Sequence, residues 1–177
     1  MKVIFLDIDG VLNANDDFGG RGKPNPYVRD ADGYRYCGIS KSKVRRLKHV
    51  VDMTGAVIVL VSSWKRDYAE YLVDYENPVG KYLRNKLREF NLSIYDHTLR
   101  YDGSQGAYRG YEVQSWLKNH QDVKSWVIFD DVYYEDYDWL KYDSHLVRTS
   151  EAYGLTDNLA EKAIQILNSE VSDEKNN

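Results

Sequence analysis

Short, unbroken apolar runs alternate with stretches of helical periodicity, and this alternation limits what the chain can fold into more than any other feature. Residues 1–6 (MKVIFL), 56–61 (AVIVLV) and 125–129 (SWVIF) are rich in β-branched and aromatic side chains and too short for stable helices. A strand that is apolar at nearly every position, and not at every second one, must be covered on both faces. Between these runs the period changes. Val44, Leu47 and Val51 fall at i, i+3 and i+7 behind Ser40, a candidate cap, and Gly55 suits a left-handed exit. Tyr68, Ala69 and Leu72 predict a short helix ending near Asn77-Pro78. Val79, Tyr82, Leu83, Leu87 and Phe90 form another stripe, and Val113, Trp116 and Leu117 a third within residues 111–120. A last helix over residues 156–167 is expected to turn Leu159, Ala163, Ile166 and Leu167 inward, and weaker strands are predicted at residues 92–95 and 145–148. Strands spaced by helices give βα units. The expected fold is α/β, with a mostly parallel sheet and helices on both faces.

At 177 residues the chain can bury a full core without disulfides or a structural metal. One domain is expected over residues 1–168, followed by a flexible tail at 169–177. The single Cys37 can form no internal bridge, and is expected to be a partly buried thiol in a reducing compartment. Residues 13–38, rich in Gly, Asp, Asn and Pro, read as a long loop or hairpin insertion that serves as a flap. No apolar run approaches the ~20 residues of a membrane-spanning helix, and the first residues lack a secretory signal pattern. A cytoplasmic location without membrane contact is expected. The net charge of −4 counts against a generic nucleic-acid binder. The four His show no ligand spacing, so zinc is not supported. Nothing in the pattern specifies an oligomeric state.

Ligands of such sheets sit beyond the carboxyl ends of the strands, where strand order reverses. At three predicted carboxyl ends stand Asp7-Ile8-Asp9-Gly10, Ser62-Ser63-Trp64 and Asp130-Asp131. If these strands are neighbours, four carboxylates converge, and like charges that close call for a cation. Mg2+ suits best, because it takes oxygen ligands and commonly joins carboxylates to a phosphate. Asp7 and Asp9, two apart in extended chain, can face one substrate while Ile8 points to the core. Gly10 permits a turn that a side chain would hinder. One carboxylate could then attack phosphorus and the second protonate the leaving group, with the Ser62 hydroxyl and a cation meeting the phosphoryl oxygens.

The run Phe5-Leu6-Asp7-Ile8-Asp9-Gly10-Val11-Leu12-Asn13 resembles the first motif of the haloacid dehalogenase (HAD) superfamily, hydrophobic residues followed by DxDG[TV]L. The order that follows is similar too: a strand ending in Ser62, a basic residue ahead of a helix, then a strand ending in Asp130-Asp131. The resemblance spans roughly residues 1–167 and implies a Rossmann-like HAD fold whose short insertion after the first strand takes the place of a large cap. It implies that Asp7 is the nucleophile of an aspartyl-phosphate and Asp9 the general acid and base. Mg2+ would lie between the Asp7 carboxylate, the Asp9 carbonyl and Asp130, with Asp131 assisting. The second Asp of DxD is typical of the superfamily's phosphatases and phosphotransferases, so carbon–halogen cleavage is disfavoured. Arg109, opening R-G-x-E-[IV]-x-x-W-L, resembles the basic residue of small HAD domains related to RNA-repair proteins. It is preferred over Lys118, which mid-helix is expected to face solvent. Ser62 is preferred over Ser63; Ser63, Gly10 and Lys65 are further candidates for substrate contact.

The reading that results is a magnesium-dependent phosphomonoesterase, with a nucleotide or polynucleotide terminal phosphate as a substrate suggested by the resemblance. A phosphotransferase or phosphomutase, and a noncatalytic module that keeps the fold, are the alternatives. The basic runs Lys41, Lys43, Arg45, Arg46, Lys48 and Lys81, Arg84, Lys86, Arg88 are expected to be solvated helix surfaces. Tyr and Trp are expected mostly in the core and at its rim. Tyr27, Tyr34 and Tyr36, with Arg21, Lys23, Arg29 and Arg35, lie in the insertion and are candidates for substrate contact.

Overall fold

The computed structural model describes residues 1–18, 27–29, 32–101 and 108–169. In chain order its elements are β1 (Lys2–Leu6), α1 (Asn15–Phe18), β2 (Tyr27–Arg29), β3 (Arg35–Cys37), α2 (Lys41–Thr54), β4 (Val57–Leu60), α3 (Lys65–Val73), α4 (Pro78–Arg88), β5 (Ile94–His97), α5 (Arg109–Lys118), β6 (Ser125–Asp130), α6 (Glu135–Trp139), β7 (Leu146–Arg148) and α7 (Asp157–Asn168). Five strands form one sheet in the order β5-β4-β1-β6-β7, and every pairing is parallel. β1 lies at the centre, with Leu6 opposite Leu60 on one side and Phe129 on the other. The chain passes from β1 out to β4 and β5 on one side, then crosses back to β6 and β7 on the other side of β1. The carboxyl end of β1 is therefore the point where strand order reverses.

The alternation of side chains sorts the core into two layers. Ile4, Leu6, Ile58, Leu60, Val127 and Phe129 face α2, α3, α4 and α7, whereas Val3, Phe5, Val59 and Ile128 face α5 and α6. Val3 to Leu6 are fully buried, as strands covered on both sides must be. The local signals hold in part. Gly55, at φ 67°, closes α2 with its N–H on the Val51 carbonyl. Ser40 stands at the N-cap, but its hydroxyl meets Ser42 and makes no cap bond. The Asn77 side chain accepts from the Val79 and Gly80 N–H groups, so Asn77-Pro78 begins α4 as well as following the end of α3.

Several expectations are corrected. α3 starts at Lys65, three residues earlier than its first apolar position, and β5 runs two residues later than predicted. α7 turns Ala160, Ala163, Ile164 and Leu167 inward, with Leu159 and Ile166 at the margins of that face. The insertion contains the antiparallel hairpin β2–β3, and Cys37 at its end is exposed, not partly buried. Lys43 is fully buried, against the expectation of a solvated run. Its stem lies against Gly154, and its ammonium reaches Asp16 of α1 at 2.9 Å. Arg21 and Lys23, and the tail beyond residue 169, lie outside the described residues.

Contact between α3 and α4 is close at Gly80. A Cβ there would stand 2.3 Å from the Tyr71 Cβ and 2.6 Å from the Asp67 carbonyl. Gly→Ala inside a helix ordinarily stabilises by roughly 0.5–1 kcal/mol. Here overpacking, typically about 1–3 kcal/mol, reverses the sign. Urea unfolding of Gly80→Ala is expected to show a lower midpoint; a higher one would contradict this packing.

Candidate active site

Asp7 directly follows β1, and its N–H still bonds the Phe129 carbonyl of β6, so the carboxylate leaves the sheet beside that strand. Ile8 turns into the core, fully buried, and its carbonyl accepts from the Val11 and Leu12 N–H groups to start a tight turn. Gly10 takes φ +64° in that turn, a conformation that a side chain rarely adopts. Its N–H is held by the Asn13 side chain at 2.9 Å and its carbonyl by the Thr149 hydroxyl at 2.7 Å. A Cβ at Gly10 would sit 2.3 Å from the Asp131 carboxyl group. The turn thus brings the backbone after Asp9 directly beneath Asp131.

β6, adjacent to β1, ends with Asp130. One carboxylate oxygen from each of Asp7, Asp130 and Asp131 lies within 4.8 Å of the other two. Asp7 and Asp130 are almost fully enclosed, at 6% and 0% exposure. Burial pushes Asp7 well above the usual carboxylate range, although Arg109 and a hydrogen bond from Ser62 oppose it and Asp9 adds to it. Asp130 is raised for the same reason, desolvation first and the Asp7 charge second. Asp131, half-buried, is raised by desolvation and by Glu151 and Asp9. Both Asp130 oxygens are oriented: one accepts from the Val132 N–H at 2.9 Å, the other from the Tyr137 hydroxyl at 3.0 Å. The trio offers hard oxygen donors alone, with its negative charge incompletely balanced, which is the donor chemistry that Mg2+ takes.

Arg109, the first residue of α5, brings its guanidinium to 3.8 Å from Asp7 and over the Tyr134 ring at 5.6 Å. Burial alone would favour its neutral form, but Asp7, Tyr134 and Asp130 hold it protonated even more firmly than an ordinary arginine. Lys118, at the far end of the same helix, is exposed. Ser62 is fully buried beside Asp7, and Ser63 is exposed. Lys65 is tied to Glu112 and lies 3.3 Å from the Thr98 hydroxyl. Burial lowers its pKa, against the pull of Glu112. Asp9 is exposed, and its carboxylate is not one of the trio. One oxygen accepts from Asn13 at 2.7 Å, the other from the Trp64 indole N–H at 3.0 Å.

Sequence reasoning missed four supporting residues. Tyr137 orients Asp130, and Trp64 with Asn13 orients Asp9. Asp136 accepts from the Tyr111 N–H at 2.9 Å and so caps the helix that carries Arg109. Asn13 belonged to the quoted motif, but the others carry no local signal, since Asp136 reads as part of an acidic surface and Trp64 as core.

A family model described as "HAD domain in Swiss Army Knife RNA repair proteins" matches residues 3–160. No curated protein and no solved structure matches the chain. Gly10→Ala tests the turn beneath Asp131. It must accept left-handed strain of about 1–2 kcal/mol and also displace the carboxyl group. Thermal unfolding should show a loss of stability of about 2 kcal/mol or more; an unchanged Tm would mean that the turn is looser than described.

Proposed function

The chain belongs to the haloacid dehalogenase superfamily, as a HAD domain of the kind found in Swiss Army Knife RNA repair proteins, and from that membership we propose that it is a magnesium-dependent phosphomonoesterase. It works through an aspartyl-phosphate on Asp7, and its substrate is a nucleotide or polynucleotide terminal phosphate. The observation that carries this reading is the meeting of Asp7, Asp130 and Asp131 around one point, with the Arg109 guanidinium 3.8 Å from Asp7. A family resemblance alone fixes no reaction; an under-compensated carboxylate trio with two members buried calls for a cation and leaves one of its members free to act as nucleophile.

The carboxylates of Asp7, Asp130 and Asp131 and the backbone carbonyl of Asp9 would hold the Mg2+. When bound, the ion offsets their mutual repulsion and polarises a phosphoryl oxygen. The rest of the work falls to the chain. An Asp7 oxygen forms a bond to phosphorus as the ester P–O bond breaks, and Asp9 gives its proton to the departing oxygen. Trp64 and Asn13 hold the Asp9 carboxylate in place for that transfer. Arg109 and the Ser62 hydroxyl meet the charge on the equatorial oxygens, where preorganised donors are most effective. In the second half Asp9 takes a proton from the water that attacks phosphorus. The Asp7–phosphorus bond breaks, inorganic phosphate leaves, and both aspartates return to their starting forms.

Hydrolysis of p-nitrophenyl phosphate tests the scheme. Asp7→Asn is expected to abolish magnesium-dependent turnover, and Asp9→Asn to slow it by about 10²–10⁴-fold. Wild-type turnover no faster than background would remove the enzymatic reading, and product appearing on added alcohols in place of free phosphate would turn it into a transferase.

Metal binding has its own pH signature. Asp7 and Asp130 are raised in the folded chain, so the metal-free fold binds more protons than the unfolded chain. Its stability is therefore greatest at low pH within this window and falls as pH rises from about 4 toward neutrality. Mg2+ competes with those protons. At a hundred times its dissociation constant it adds about 2.7 kcal/mol, or roughly 5–10 °C in Tm for a chain of this length. Scans with Mg2+ and with a chelator should diverge at pH 8 and converge near pH 5; equal curves at both would count against the site.

A further inference from the structure

We propose that the rings of Tyr101, Tyr108, Tyr111 and Trp139 form a stacking platform for the base of the nucleotide whose phosphate enters the Asp7 crevice. The inference rests on the phosphomonoesterase reading for where the phosphate lies, and it narrows the substrate class: a nucleotide or a polynucleotide end in preference to a phosphate ester without a ring.

Three observations carry it. The first is position. Tyr108 directly precedes Arg109, so the platform begins one residue from the guanidinium at Asp7. Tyr101 follows the carboxyl end of β5, and Tyr101, Tyr111 and Trp139 all lie against Tyr108, which gathers the rings beside Arg109. The second is arrangement. Tyr101 stacks on Tyr111 with centroids 5.2 Å apart and planes 24° apart, Tyr108 meets both edgewise, and Trp139 lies tilted at 6.5 Å from Tyr108. The rings are held as well as gathered, because the Tyr101 N–H bonds Glu112 at 3.3 Å and the Tyr111 N–H bonds Asp136. The third is exposure. Tyr101 is 46% and Trp139 57% open to solvent, a large flat apolar area for a surface away from any core.

A nucleobase fits this setting better than an apolar protein segment does. It is flat and one ring system wide, and in its substrate it is joined by a single sugar to the group that Arg109 and Ser62 receive. Stacking on aromatic rings tolerates any base, since each presents a π-face. Exposed Arg100, one residue before Tyr101, supplies a cation at the platform's edge for a neighbouring phosphate. Tyr and Trp, amphipathic and rigid, lose little conformational freedom when they bind.

The test uses binding to the Asp7→Asn chain, so that no turnover intervenes. The probes are a short oligonucleotide with a terminal phosphate and the same oligonucleotide with its phosphorylated nucleotide made abasic; a nucleoside monophosphate and ribose 5-phosphate form the parallel pair. The base-bearing member of a pair is expected to bind about ten-fold or more tightly, as base–aromatic stacking generally allows. In Trp139→Ala and Tyr101→Ala that preference should collapse, whereas Trp139→Phe should keep it. Preference in the oligonucleotide pair alone assigns the platform to a chain end, and preference in both pairs to the terminal nucleotide itself; either supports the proposal. Equal affinity for base-bearing and abasic probes, or a preference untouched in both alanine variants, overturns it. Wild-type turnover of p-nitrophenyl phosphate reads the parent hypothesis separately. Turnover without base preference removes the platform and leaves the phosphatase, and base preference without turnover does the reverse.

Discussion

Repulsion between carboxylates held out of water is the constraint around which the rest of the structure is arranged. β1 and β6 are parallel neighbours in the fully buried middle of the sheet, so their carboxyl ends open side by side with little solvent between. The register that sets Leu6 against Phe129 also makes Asp7 and Asp130 adjacent. A shift of one residue would turn one of these aspartates into the core, where nothing could balance it. Both are raised above the ordinary carboxylate range by desolvation, and the single guanidinium of Arg109 offsets only part of the charge. A site of this kind is costly to the fold by itself and correspondingly suited to a cation.

The surroundings answer that cost with fixed donors. The Val132 N–H and the Tyr137 hydroxyl occupy both oxygens of Asp130, and the Thr149 hydroxyl holds the Gly10 carbonyl beneath Asp131. Asp9 is held from two directions, by Asn13 in its own turn and by Trp64 from the start of α3. Trp64 is itself met edgewise by Tyr36 of the insertion hairpin at 4.9 Å, and the Tyr36 hydroxyl donates to buried Asp67 at 2.9 Å. The hairpin is thereby joined to the residue assigned as general acid through one indole ring. Expecting Tyr36 to touch substrate directly overlooked this role, since its hydroxyl is already engaged with α3.

Legibility followed the range of the signal. The central strands announce themselves because burial on both faces leaves polar residues only at their ends, and the turn after β1 does so because Asp, Asp and Gly stand at fixed short spacing. Arg109 could be preferred over Lys118 because it opens the R-G-x-E pattern, although Lys118, expected in mid-helix, proves to be the last residue of α5. α6 escaped notice because five residues do not complete two turns and show no period. Lys43 reads as a surface lysine because its partner Asp16 stands 27 residues away in the insertion, and nothing local distinguishes it from Lys41 or Lys48. Lys65 stands ahead of a helix, as a phosphate-binding residue would, yet its pairing with Glu112 spans 47 residues and is invisible in the strand–helix pattern.

That pairing bears on why the cation at Asp7 is an arginine on α5 and not the lysine on α3. Lys65, held by Glu112 and Thr98, braces α3 against α5 and the carboxyl end of β5. Its charge is balanced within that contact and so is not available to Asp7. Arg109 has the opposite setting. Its helix end is capped by Asp136 from α6, its guanidinium lies over the Tyr134 ring, and Asp7, the proposed nucleophile, stands 3.8 Å away. A planar, always-charged fork suits a tetrahedral phosphoryl group better than a point charge on a flexible stem. Because Asp136 fixes the first turn of α5, it sets the cation beside Asp7 and Tyr108 beside that cation in one step. The proposed contacts to phosphate and to base therefore share a single support, and a shift of α6 would disturb both together.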